Sequence, residues 1–109
     1  MLFIEATVFT RRIVELRAEN HLRELQSLLL AHPDAGDVVS GLDGLRKIRM
    51  PLPGRGKRGA ARVLYLHIAG RDKIVFLLVY KKNDFDDLPP EVIREMKEKI
   101  KVIRREFEQ

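Results

Sequence analysis

The chain has 109 residues, 45% of them hydrophobic and 34% charged. That is the size and composition of one folded domain spanning residues 1–109, not of a disordered tail. It contains no cysteine, which excludes a disulfide framework and thiolate metal sites. The formal net charge of +5 is local in origin, because residues 41–62 carry seven cations (Arg46, Lys47, Arg49, Arg55, Lys57, Arg58, Arg62) against Asp43 alone. Charge concentrated this way is the electrostatic footprint of a polyanion partner, most often nucleic acid; a solvated basic loop is the plainer alternative.

In chain order, residues 2–6 form a short apolar run of strand formers. Thr7 is placed to cap a helix over residues 8–18, with Phe9, Ile13 and Leu16 on one face. Asn20 is a plausible cap for a second helix over residues 22–31, whose stripe is Leu22, Leu25, Leu28 and Leu29. Pro33 and Gly36 stop it. After the turn Gly41-Leu42-Asp43-Gly44 the period becomes extended: residues 45–50 alternate, with Lys47 and Arg49 on one face and Ile48 and Met50 on the other.

Pro51 and Pro53 break that strand, and Gly54-Arg55-Gly56-Lys57-Arg58-Gly59 forms a long hairpin loop. Residues 61–68 give a second strand of this group and residues 73–80 a third, apolar on both faces and therefore interior to the sheet. Residues 91–107 form the last helix, with Val92, Ile93, Met96, Ile100, Ile103 and Phe107 as its stripe. The order is β-α-α-β-β-β-α, the last three strands forming an antiparallel meander. The longest apolar run, residues 74–80, is too short to span a bilayer, and the N-terminus does not read as a signal peptide; a cytoplasmic protein is expected.

The basic run spells G-x-G-x-x-G. A dinucleotide site needs a strand before that motif and a helix after it, whereas here prolines precede it and an extended segment follows. A P-loop fails because neither Ser nor Thr follows Lys57. His21, His32 and His67 have no ligand spacing, so no metal or other cofactor is expected; His67 reads as a packed strand histidine. Asp84, Asp86 and Asp87 read as turn and cap residues.

What the residues permit is phosphate chemistry. Lys47, Arg49, Arg62, Lys81 and Lys82 converge in a meander on one side or end of the sheet. RNA cleavage needs only an aligned 2′-hydroxyl and neutralisation of the developing charge, which arginine suits through its planar fork. Tyr65 and Tyr80 can stack on a base or assist proton transfer. A simple RNA binder would use the same residues.

Several blocks together closely resemble the HigB branch of the RelE/ParE toxin superfamily: Gly41-Leu42-Asp43-Gly44-Leu45-Arg46-Lys47-Ile48-Arg49, the Gly/basic run, Arg62-Val63-Leu64-Tyr65, and Tyr80-Lys81-Lys82-Asn83-Asp84 with Asp87-Leu88. Residues 35–39 are similar to that branch's segment after the second helix. The resemblance implies an α+β, RelE-like fold with a mainly antiparallel four-stranded sheet and helices packed against it. It also implies the toxin of a type II toxin–antitoxin pair, a metal-independent mRNA endonuclease acting on the ribosome. By that resemblance Lys47 and Arg49 hold RNA, Arg62 stabilises the transition-state phosphate and Lys82 is a catalytic cation. Arg46, Arg55, Lys57, Arg58, Lys81 and Asn83 join the RNA-binding set.

The implied partners are the ribosome with its mRNA and a helix-turn-helix antitoxin, operator DNA being reached only through the antitoxin. The chain departs from the branch at Ala60-Ala61, where Gly-Gly is usual, and at Tyr65-Leu66, where paired tyrosines are usual. The general base is therefore open among Tyr65, Tyr80, Lys82 and His67. The alternative functions are a ParE-like inhibitor of DNA gyrase and a non-catalytic relative that only binds an antitoxin.

Overall fold

The structure, a computed structural model, describes residues 1–54, 59–84 and 87–107. Its elements are β1 (Leu2–Glu5), α1 (Thr7–Glu15), α2 (Glu19–Ala31), β2 (Asp37–Val38), β3 (Arg46–Met50), β4 (Ala61–Ile68), β5 (Lys73–Lys81) and α3 (Pro90–Phe107), with one 3₁₀ turn at Ala69–Arg71. The strands form one sheet in the order β1-β5-β4-β3-β2. β1 runs parallel to β5, and the other three pairings are antiparallel.

The expected four strands are five, because Asp37–Val38 pairs with β3 through Asp37↔Lys47 and Val38↔Arg46. Two residues are too few to carry a periodic signal. The helix starts also differ from expectation. Thr7 is the first helical residue and Ala6 occupies the cap position, without a side-chain cap bond. The amide of Ala6 donates to the Phe76 carbonyl at 2.9 Å, so the sheet itself holds Ala6 extended and the helix starts at once. Likewise Ala18, fully buried, takes the cap position of α2 in place of Asn20. Arg17 turns the chain there at φ 54°, and the Ala18 amide bonds back to the Ile13 carbonyl at 3.1 Å.

Strand alternation divides the core in two. On one face α1 and α2 pack Phe9, Ile13, Leu22, Leu25 and Leu29 against Met50, Val63, Tyr65, Ile74, Phe76 and Val79. Phe3 and Phe9 both stack with Phe76, with ring centroids 5.8 and 5.0 Å away. On the other face α3 sets Met96 and Ile100 against Leu64, Leu66, Ile68, Val75 and Leu77. The β4–β5 register shifts after Leu64, so that Leu64 faces Leu78 but Tyr65 faces Phe76. Leu77 is the extra residue of this bulge.

The far end of α3 is tied down. Arg104 Nε meets Asp43 Oδ2 at 3.0 Å, and the Arg71 guanidinium donates to the Phe107 carbonyl at 2.6 Å. The expected Glu95–Lys99 pair is present at 3.5 Å. Among the described residues no helix is long and apolar enough to cross a membrane.

The segment between α2 and β2 is fixed by Tyr65. Its hydroxyl donates to the Pro33 carbonyl and accepts from the Gly36 amide, both at 2.9 Å. A Cβ at Gly36 would lie 2.9 Å from Tyr65 Cε1 and 3.0 Å from the Lys47 carbonyl oxygen, and the second neighbour is backbone. Gly36→Ala is therefore predicted to lower unfolding free energy by roughly 1–3 kcal/mol in a denaturant titration, the cost of overpacking a tight site. An unchanged midpoint would show that this approach is not required.

Candidate functional site

At the end of the sheet where β3 stops and β4 begins, the register sets Arg49 opposite Arg62 and Arg62 opposite Tyr80. Residues directly opposite share a face, so these three side chains form one row across three strands on the α3 side. Lys47 lies on that face too, opposite Leu64 on one flank and Asp37 of β2 on the other. The alternation along β3 shows where the cover of α3 ends: Leu45 is fully buried, while Lys47 and Arg49 are exposed.

Lys47, Arg49 and Arg62 line a cleft of about 360 Å³ together with Ala35, Gly36, Asp37 and Ile48. Three cations in one concavity attract a phosphate. Nη1 of Arg62 is buried and has no hydrogen-bond partner among the described residues. A buried, charged donor without a partner is costly, and a phosphate oxygen accepting from it removes that cost.

The cleft's outer wall exists because residues 35–36 leave the edge of β3. The Gly36 amide bonds to the Tyr65 hydroxyl. Arg46 Nη1 donates to the carbonyls of Gly36 at 2.7 Å and Asp34 at 3.1 Å. His67 Nδ1 lies 2.8 Å from Asp34 Oδ1.

Tyr65, Arg46 and His67 thus sit on the α1/α2 side of the sheet and hold the wall, away from the cationic row. Tyr65 and Arg46, expected as a catalytic and an RNA-binding residue respectively, are spent on this support. The pattern Tyr65–Leu66–His67 gives no hint of it, since the partners are backbone groups some thirty residues upstream.

Tyr80 is buried in the row. Burial pushes its phenol up from the ordinary value of 10.0, opposed by Arg62 and assisted by Asp87. Lys81 faces Ala61 and so belongs to the α1/α2 side; its amide donates to Asp84 Oδ2 at 2.8 Å, and Asp84 pairs with Arg12 at 3.2 Å. Lys82 and Asn83 are exposed in the turn that follows β5, at the same end of the sheet as the row. Arg55, Lys57 and Arg58 lie outside the described residues. Asp37, not among the expected site residues, is the cleft's carboxylate; its short strand gave no periodicity to place it. Among the described residues no three His, Cys, Asp or Glu side chains converge as a metal-ligand set.

Both tyrosines of the chain are buried, and burial also raises Tyr65 from 10.0 despite the donation from Gly36. A raised folded-state pKa stabilises the fold fully below the ordinary tyrosine value, and that contribution is lost as pH climbs through the folded value. Tyrosinate absorbance is therefore predicted to appear at higher pH than for an ordinary tyrosine, whose value is 10.0, and to rise together with loss of circular dichroism. Titration of either tyrosine at its ordinary value in the folded chain would contradict this placement. No protein-family model matches the chain.

Proposed function

We propose that this chain is a ribosome-dependent, metal-independent mRNA endonuclease, the toxin of a type II toxin–antitoxin pair of the HigB branch of the RelE/ParE superfamily. The observation that carries the reading is the row Arg49–Arg62–Tyr80 with Lys47 beside it, the three cations lining a cleft where a guanidinium nitrogen of Arg62 is buried without a hydrogen-bond partner among the described residues. The α+β architecture, with a meander on which these cations lie, supports it. So do the sequence blocks that resemble that branch.

In this reading the scissile phosphate lies against Arg62 and Arg49, which neutralise charge as it develops on the non-bridging oxygens. Lys47 grips the adjoining RNA backbone, and Lys82 closes the site from the turn after β5. Tyr80 keeps its proton and acts as a donor or a stacking surface. The Gly/basic run binds ribosomal RNA. The protein acts in the cytoplasm and is held inactive by a helix-turn-helix antitoxin.

Induction in cells followed by primer extension on mRNA tests the reading. Wild type is predicted to give in-frame cleavage within codons and growth arrest. Arg62→Ala is expected to slow cleavage by about 10²–10³-fold, the usual loss on removing one transition-state donor. Growth arrest with intact mRNA and a DNA-damage response would instead establish gyrase as the target.

A further inference from the structure

Attack by a 2′-hydroxyl requires a group that accepts its proton, and the geometry narrows the choice. Tyr65 and His67 lie on the opposite side of the sheet, engaged with Pro33, Gly36 and Asp34. Tyr80 is buried and holds its proton more firmly than an ordinary tyrosine. Arginine and lysine cations have donors but no acceptor. Asp37 lines the cleft together with Lys47, Arg49 and Arg62, and it is the one carboxylate among the described residues that do. It is exposed and its backbone shares a rung with Lys47, yet its carboxylate makes no hydrogen bond or ion pair among the described residues. An ionised carboxylate is a pure acceptor.

We propose that Asp37 is the general base of this site, an assignment that rests on the endonuclease reading above. The cleft is polarised: Arg49 and Arg62 lie at the end that takes the phosphate, and Asp37 stands on the wall beyond Lys47. Repulsion between the carboxylate and the phosphate oxygens keeps the anion at the arginine end and leaves the sugar hydroxyl toward Asp37. Asp37 takes the 2′-hydroxyl proton as the 2′-oxygen bonds to phosphorus. The bond from phosphorus to the 5′-oxygen breaks, and that oxygen leaves with a proton from solvent water. The products are a 2′,3′-cyclic phosphate and a 5′-hydroxyl, and Asp37 returns its proton to solvent. No oxidant, reductant or further reactant is needed.

The test is single-turnover cleavage of mRNA on programmed ribosomes by the full chain, with ribosome affinity measured in parallel. Asp37→Asn is nearly isosteric at an exposed edge position, and circular dichroism confirms that it folds. It is expected to cleave at least about 10²-fold more slowly, the usual contribution of general-base catalysis, while binding as tightly as wild type or more tightly, since an anion has left a cationic cleft. Asp37→Ala is expected to regain activity in added formate, whereas Arg62→Ala is not. Asp37→Asn cleaving within about threefold of wild type overturns the assignment alone, as does a slow Asp37→Ala that formate does not rescue. A change only in which codons are cut overturns it in favour of base recognition. A wild-type chain that cuts no mRNA overturns the endonuclease reading and this assignment with it.

Discussion

One helix cannot cover a five-stranded sheet, and the character of this molecule follows from that mismatch. Five strands span about 19 Å between the outer two, whereas a helix with its side chains is about 10–12 Å wide. Two helices, α1 and α2, cover one face; α3 alone serves the other. A strip of sheet on each flank of α3 is therefore left open, and the sequence assigns the two strips opposite characters. On the β1 flank Ile4, Val75, Leu77 and Val102 line an apolar groove of about 450 Å³. On the β3 flank the same alternation delivers Lys47 and Arg49, with Arg62 reaching from the next strand.

Cations on a bare strand face do not by themselves make a cleft. The second wall comes from the segment between α2 and β2, which Tyr65, Arg46 and His67 hold from the far side of the sheet. The Tyr65 hydroxyl accepts from the Gly36 amide and donates to the Pro33 carbonyl, which fixes this segment at the edge of β3. The side chains that build the wall thus stand on the opposite side from those that face the cleft, and the sheet between them keeps support and chemistry apart. Preorganisation of this kind is what a site dominated by charge neutralisation requires, because the groups need not reorganise as charge develops.

Much of this was legible in the sequence where a period was long enough to read. β4, β5 and the stripe of α3 follow from alternation and helical spacing, and Lys47 with Arg49 follow from the alternation of β3. β2 was not legible, since two residues carry no pattern, and Asp37, though within the family-like segment 35–39, carried no signal of a place in the site. The starts of α1 and α2 were misplaced because Ala6 and Ala18 are set by sheet pairing and burial rather than by a capping side chain. Tyr65 and Arg46 were drawn into the site by neighbourhood in sequence. A one-residue step along a strand reverses the face, and the register places Tyr65 opposite Arg46 while Arg62 stands opposite Arg49.

Ultraviolet crosslinking of the ribosome-bound chain to RNA, read by mass spectrometry, tests most directly that the open β3 flank of the sheet is the working surface. Crosslinked peptides are expected from β3, the start of β4 and the end of β5, containing Lys47, Arg62 and Tyr80, and none from the solvent faces of α1 and α2. Crosslinks confined to those two helices, or spread evenly over the basic residues of the chain, would contradict it.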